Sequence, residues 1–292
     1  MIPTIGELME CYPKIALAER AKSGKPGALT VLNTLKGTRR FLEVSGLSKD
    51  AQANAITRKA IDKALGGFLA EGVQRLTAWS YVCQTRALFA RWALPYYQDR
   101  GWKVSPPQMP VFRANAPRYV RPPDEMLKSV RAWYCGLDGE LWFIATMMLE
   151  FAMRNGDVLR LTDENFVAKN TPDGCVHYLS YIPHKTELSS GRRVFWPVHP
   201  EIWDRFYEMG GFKGMEYTDE TFDEMNRQLR SLGFKGAKAS YELRKICIDH
   251  VYQKFGAEMA SSISGDDIKT IIHYYADPAQ PNIGNVRILD LL

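Results

Sequence analysis

Hydrophobic residues in the first hundred positions recur at intervals of three and four, the spacing that gathers them on one face of a helix. The pattern is clear at 29–44, 56–69 and 76–102. Glycine and proline residues separate these segments, and Pro95 is expected to kink or end the third one. This part of the chain is therefore predicted to form a compact bundle of about four helices.

The helical pattern returns at 124–134 and 140–160, and then the period changes. Two segments rich in β-branched and aromatic residues, 176–183 and 192–198, flank the turn Ser189-Ser190-Gly191 and predict a β-hairpin. Helical patterns resume at 219–232, 241–255 and 268–275. The predicted fold is mainly α with a small antiparallel β-sheet (α+β), and it contains no repeating βαβ unit.

Six prolines between positions 103 and 123 interrupt both patterns. Prolines at this density disfavour helix and sheet, so residues 104–123 are predicted to be an interdomain linker. Residues 1–103 then form a helical domain, 124–278 a mixed α/β domain, and 279–292 a C-terminal tail. Arg113, Arg118 and Arg121 make the linker basic, which would suit a segment running along a phosphate backbone.

Composition limits the class of protein. With 46% hydrophobic and 24% charged residues among 292, the chain is expected to be soluble, globular and large enough for two ordinary domains. The longest apolar stretch, 141–153, is interrupted by Glu150 and is too short to span a bilayer, and no signal-peptide pattern is present. Five scattered cysteines form no CxxC pair, which favours the cytoplasm and argues against a zinc module.

Charge is distributed unevenly along the chain. Residues 1–103 carry sixteen Lys or Arg and eight Asp or Glu, a net charge of +8, whereas the remainder, with 22 and 25, has −3. An excess of positive charge in one domain is expected for a polyanion partner such as nucleic acid. An ordinary solvated helical surface would also produce it.

Three kinds of side chain suited to attack on a phosphodiester occur in the second half, in the order arginine, lysine, arginine and tyrosine. Two arginines can clamp a phosphate and stabilise its developing charge, a lysine can deliver a proton, and a phenol can act as the nucleophile. For each arginine the alternative is a purely structural ion pair, Arg154 with Asp157 and Arg244 with Glu242. The residues are Arg154 in Met153-Arg154-Asn155-Gly156-Asp157, Lys185 in His184-Lys185-Thr186, Arg244 in Tyr241-Glu242-Leu243-Arg244-Lys245, and the pair Tyr274-Tyr275.

The order and context of these motifs resemble the tyrosine recombinase (phage integrase) family over roughly residues 28–278. The resemblance implies that Arg154 and Arg244 hold the non-bridging phosphate oxygens and that Lys185 protonates the leaving 5′ hydroxyl. It further implies that a late tyrosine forms a 3′-phosphotyrosine link, without a metal or other cofactor. Double-stranded DNA would be clamped between the two domains, by a homotetramer associated with the nucleoid.

Two positions depart from the family pattern. Tyr241 stands where the family has a histidine; it can donate a hydrogen bond to a phosphate, but a phenol of pKa about 10 is no base near neutral pH. Asp266 follows Gly265 where a histidine or tryptophan is usual, and an aspartate facing a phosphate would be repulsive unless protonated or turned away.

The nucleophile follows from spacing. Counting from Gly265 favours Tyr275, whereas the family's Thr-x-x-x-Tyr spacing is met by Thr270 and Tyr274. We take Tyr274 as the predicted nucleophile. Adjacent residues on a helix point about 100° apart, so only one of the two can reach the site.

The sequence therefore predicts a site-specific DNA recombinase with Arg154, Lys185, Tyr241, Arg244 and Tyr274 as its catalytic residues. Two alternatives stay open: a type IB topoisomerase-like enzyme, which uses a related set of residues, and a DNA-binding relative that has lost catalysis. The apolar tail could dock on a neighbouring protomer or on its own domain.

Overall fold

The computed structural model describes residues 1–111, 119–172, 174–187, 191–236 and 238–275. The chain divides into two compact units, Met1–Ala116 and Pro117–Leu292. The boundary lies within the proline-rich segment. Arg113, Arg118, the turn residues Ser189 and Ser190, and the tail 279–292 lie outside the described residues, and the finer division into linker and tail stays a prediction.

Helices build the first unit, and the predicted segments correspond to α2, α3 and α4. The third predicted segment, 76–102, is not one helix. Helix α4 ends at Ala87, and the short helix α5 begins at Leu94 with Pro95 in its first turn, where a missing N–H breaks no helical hydrogen bond. The hydrophobic pattern does not reveal α1, which contains Pro13 and begins with a capping box between Thr4 and Glu7. The helices are α1 (Ile5–Ser23), α2 (Ala28–Ser45), α3 (Arg58–Ala70), α4 (Arg75–Ala87) and α5 (Leu94–Gln98).

The second unit combines helices with one small sheet, and this confirms the predicted fold class. The described strands pair antiparallel in the order β1-β2-β3. The predicted hairpin is β2 with β3, in which Tyr181 faces Val194. The elements are α6 (Asp124–Cys135), α7 (Gly139–Leu149), α8 (Asn155–Val158), β1 (Phe166–Thr171), β2 (Gly174–Tyr181), β3 (Val194–Pro197), α9 (Pro200–Glu208), α10 (Asp219–Ser231), α11 (Ser240–Ser264) and α12 (Ile268–Tyr274).

The predicted single helix over 140–160 is wrong. Helix α7 ends at Leu149, Ala152 takes a positive φ of 51°, and Arg154 is extended as the residue that precedes α8. The apolar run continues through this break, so hydrophobic period cannot reveal it. The break instead turns the carbonyl of Ala152 toward the guanidinium of Arg244, which donates a hydrogen bond to it.

Helix α7 forms the centre of this unit because it is apolar all round. Its residues from Trp142 to Met148 are buried, and it packs against both α10 and α11. Helix α11 is longer than predicted and contains a break at Gly256 (φ 86°, ψ 177°). Through α11 this core supports the residues that face the candidate site.

Gly265 ends α11 in a left-handed conformation (φ 69°) against the hairpin. A Cβ added there would lie 2.7 Å from Cγ of Pro183 and 3.3 Å from Cγ2 of Val194. Gly265→Ala is therefore expected to lower the free energy of unfolding by about 2–4 kcal/mol, from backbone strain plus overpacking. Urea unfolding followed by circular dichroism would measure it.

Gly46 provides the matched control, since it ends α2 in the same left-handed conformation (φ 75°, ψ 17°) and an added Cβ would meet only the flexible end of the Lys63 side chain. Gly46→Ala is expected to show the strain alone, about 1–2 kcal/mol. Equal losses for the two variants would show that contact with the hairpin contributes nothing.

Candidate active site

The second unit contains a cavity of ≈ 630 Å³ that collects most of the predicted site residues. Arg154, Lys185, Tyr241 and Tyr274 all line it, and Arg244 lies beneath it in contact with a lining residue. These residues are up to 120 positions apart in the chain, so the fold brings them together. The full lining is Tyr119, Val120, Arg154, Lys185, Tyr241, Glu242, Lys245, Asp266, Thr270, Tyr274 and Tyr275.

Arg154 reaches the cavity from the extended turn between α7 and α8. One terminal nitrogen donates to a carboxylate oxygen of Asp266, and the other lies 3.7 Å from Oδ2 of Asp157. Asp157 is buried and also accepts a hydrogen bond of 2.9 Å from the backbone N–H of His184. The Asp157 carboxylate thus connects the turn that carries Arg154 to the residue before Lys185.

Arg244 is completely buried near the start of α11. Its terminal nitrogens donate to the carbonyls of Ala152 and Ser264 and, at 2.5 Å, to Oδ2 of Asp266. Burial is the largest single effect and disfavours its charged form, but Asp266 together with Tyr275, Tyr241 and Tyr181 outweighs it and raises the pKa of Arg244. Glu242, the structural partner considered from the sequence, instead pairs with Lys245 at 2.7 Å.

Asp266 is the residue whose role the sequence least anticipates. Its two carboxylate oxygens each accept from a different arginine, Arg154 and Arg244, so it faces the arginines and joins them. Its backbone is fixed as well: the N–H donates to Oγ of Ser264, and the carbonyl accepts from the hydroxyl of Ser261. From the sequence, an aspartate at this position was expected to repel a phosphate. In the protein without DNA, its carboxylate instead forms ion pairs with both arginines.

The two neighbouring tyrosines have different surroundings. The hydroxyl of Tyr275 lies 2.6 Å from that of Tyr241, and its ring centre lies 5.7 Å from Cζ of Arg244. Tyr275 is 6% exposed, and burial raises its pKa although Arg244 opposes this. Tyr274 is 48% exposed and its ring contacts that of His273 edge-on at 4.4 Å.

Lys185 is exposed in the turn after β2 and lines the cavity. Two further lining residues, Lys245 and Tyr119, were not predicted. Lys245 Nζ lies 6.0 Å from the ring centres of both Tyr119 and Tyr241. Lys245 directly follows Arg244 in the motif, and this position could have indicated it, whereas no sequence signal distinguishes Tyr119.

His250 and His273 are the histidines nearest in sequence to Asp266, which stands where a histidine or tryptophan is usual. Neither of them lines the cavity. Over the ranges that the structure describes, no group of His, Cys, Asp or Glu is arranged to hold a metal ion. Over the same ranges, none of the helices has the length and hydropathy needed to cross a membrane.

Comparison with known proteins gives a match in structure alone. No protein-family model and no curated protein matches the sequence. A lambda integrase tetramer bound to a Holliday junction matches with a TM-score of 0.69 at 16% identity, covering 98% of this chain and 81% of that one. Lambda integrase bound to DNA matches with a TM-score of 0.65 at 17% identity, covering 98% and 99%.

XerH site-specific recombinase bound to its palindromic difH substrate matches with a TM-score of 0.60 at 13% identity, covering 84% of this chain and 75% of that one. These three structures are of tyrosine recombinases. The chain therefore has the tyrosine recombinase fold, and the resemblance seen in its motifs is confirmed at the level of the fold.

Proposed function

We propose that this protein is a site-specific DNA recombinase that cleaves and rejoins DNA through a 3′-phosphotyrosine intermediate. One observation carries the proposal: Arg154 and Arg244 converge on one carboxylate beside a cavity that Lys185, Tyr274 and Tyr275 also line. Guanidinium groups that converge on a point can hold an oxyanion there as charge develops. The shared fold agrees with this chemistry.

In the proposed reaction the tyrosine hydroxyl gives its proton to water in the open cavity, and its oxygen forms a bond to phosphorus as the bond from phosphorus to the 5′ oxygen breaks. Arg154 and Arg244 stabilise the non-bridging oxygens, and Lys185 gives its proton to the departing 5′ oxygen. The phosphotyrosine link conserves the energy of the broken bond, so religation by a 5′ hydroxyl needs neither ATP nor a metal. Tyr275 is the attacking phenol in this scheme, in place of Tyr274, which the threonine spacing favours. Its hydroxyl lies 2.6 Å from that of Tyr241, which would hold it.

Double-stranded DNA is the proposed partner. The net charge of +8 over residues 1–103 supports a polyanion-binding role for the first unit. The matched structures include a lambda integrase tetramer on a Holliday junction, and we propose a homotetramer on DNA by analogy. A cytoplasmic, nucleoid-associated location follows from such a partner.

The test is a nicked duplex whose short 5′ fragment diffuses away after cleavage and traps the covalent adduct. The substrate is a library of nicked duplexes with randomised sequence at low salt, which lets the protein select its own site. We expect an SDS-resistant protein–DNA adduct whose sequencing reveals a preferred site. Arg154→Ala is expected to lower its yield at least ~100-fold, and the exposed Arg160, substituted in the same way, provides the matched control.

The rival functions give different results. Relaxation of any supercoiled plasmid without a preferred site would indicate a topoisomerase of type IB. Binding of DNA with no adduct would indicate a relative that has lost catalysis, and absence of binding at low salt would exclude all three.

A further inference from the structure

We propose that Asp266 is an internal anion that occupies the phosphate position of the DNA-free protein, so that a phosphodiester must displace its carboxylate from both arginines before cleavage. This inference rests on the proposed function of the site. It assigns to Asp266 a competing role, in a position where the related pattern has a side chain that supports the phosphate.

The geometry of the carboxylate supports this role. One oxygen accepts from Arg154 and the other, at 2.5 Å, from Nη2 of Arg244. A phosphodiester also carries a single negative charge shared by two non-bridging oxygens, and in the proposed reaction it needs the same two guanidinium groups. The Asp266 carboxylate and the phosphate therefore exclude each other.

The charges around the arginines lead to the same conclusion. Arg154 and Arg244 contribute two positive charges, and Asp157 and Asp266 two negative ones, all largely buried. The cluster is neutral while Asp266 stays in place. A phosphate entering beside it would add a third negative charge to two positive ones, in surroundings that screen charge poorly. With the Asp266 carboxylate turned away, the same cluster attracts an anion.

Asp266 also has a way to leave. The hydrogen bonds described for its carboxylate are those to the two arginines, whereas Ser261 and Ser264 bind its backbone. The residue lines the ≈ 630 Å³ cavity, and a carboxylate released by the arginines would turn into this space. Gly265 and the two serines keep the backbone in place during this movement.

The consequence is selectivity against small anions. A free phosphate or sulfate must displace Asp266 with its own binding energy alone. A phosphodiester in bound DNA is presented at high effective concentration, because the rest of the duplex is held by other parts of the protein. The arginines therefore become available to DNA and stay closed to solvent anions.

The test compares Asp266→Asn with the unmodified protein, using inorganic phosphate as the probe. Asparagine keeps the size of the side chain and one acceptor oxygen but removes the charge. We expect the Kd for phosphate, measured by the shift in thermal unfolding with phosphate concentration, to fall at least ~10-fold. At subsaturating nicked DNA the rate of adduct formation is expected to rise several-fold.

Asp267→Asn is the matched control. Asp267 is exposed at the next position and caps α12 by accepting from the N–H of Thr270, and asparagine caps a helix equally well. The substitution removes the same charge one residue away, so phosphate affinity and adduct rate are expected to stay within twofold of the unmodified protein. Should Asp266→Asn fail to fold, Asp266→His replaces it, with the same expected gain in phosphate affinity.

Unchanged or weaker phosphate binding by the folded Asp266 variant would overturn the inference. It would indicate that this carboxylate only positions the two arginines. Tighter phosphate binding without adduct from either protein would support the inference while refuting DNA cleavage. Adduct formation by the unmodified protein, with no gain in phosphate affinity in the Asp266 variant, would support DNA cleavage and refute the inference. The two proposals can therefore fail independently of each other.

Discussion

Tyr275→Phe is expected to lower the yield of covalent DNA adduct at least ~1,000-fold, whereas Tyr274→Phe is expected to leave it within a few-fold. Phenylalanine has no oxygen to attack phosphorus, so the loss identifies the nucleophile. The described geometry favours Tyr275, because its hydroxyl contacts Tyr241 and its ring lies near Arg244. Tyr274, which the threonine spacing favours, is half-exposed and packs on His273.

A third variant separates the nucleophile from its hydrogen bond. Tyr241→Phe removes the same contact with Tyr275 and keeps the Tyr275 oxygen, so only the loss of one hydrogen bond, about 10-fold, is expected. All three variants would be compared in single-turnover reactions on the nicked substrate. If Tyr274→Phe instead abolishes the adduct and Tyr275→Phe does not, the nucleophile is Tyr274, as the threonine spacing predicts.

Arg244→Ala is expected to lower the free energy of unfolding of the second unit by about 3–5 kcal/mol, apart from any effect on catalysis. The side chain is completely buried and donates to carbonyls from two separate segments, Ala152 and Ser264, and to Asp266. Its removal leaves these acceptors without their donor and opens a cavity under the site.

Urea unfolding followed by tryptophan fluorescence and by circular dichroism would measure this loss. Arg192→Ala is the control, because Arg192 is exposed and its two hydrogen bonds go to the hydroxyls of Ser261 and Ser262. Its loss is expected to be about 1 kcal/mol or less. A similarly small value for Arg244→Ala would mean that the break after α7 is held by other contacts.

The elements of this protein are largely predictable from local patterns. Helices α2, α3, α6 and α10 follow from hydrophobic residues spaced three and four apart, and the β2–β3 hairpin follows from a change of period. Strand β1 escapes prediction because it is mostly exposed and lacks a buried alternating face. The two arginines and the lysine are recognisable because their spacing relative to these elements is a local property of the chain.

The sequence by itself thus determined the kinds of element, the fold class and the identity of the basic residues, because each depends on neighbours a few positions away. Tertiary structure alone decided the turn at Ala152, the bridging position of Asp266 and the burial of Tyr275. The reason is distance along the chain: Arg244 contacts Ala152 across 92 positions, and Arg154 contacts Asp266 across 112. No local period records such contacts, and they determine which side chains meet at the cavity.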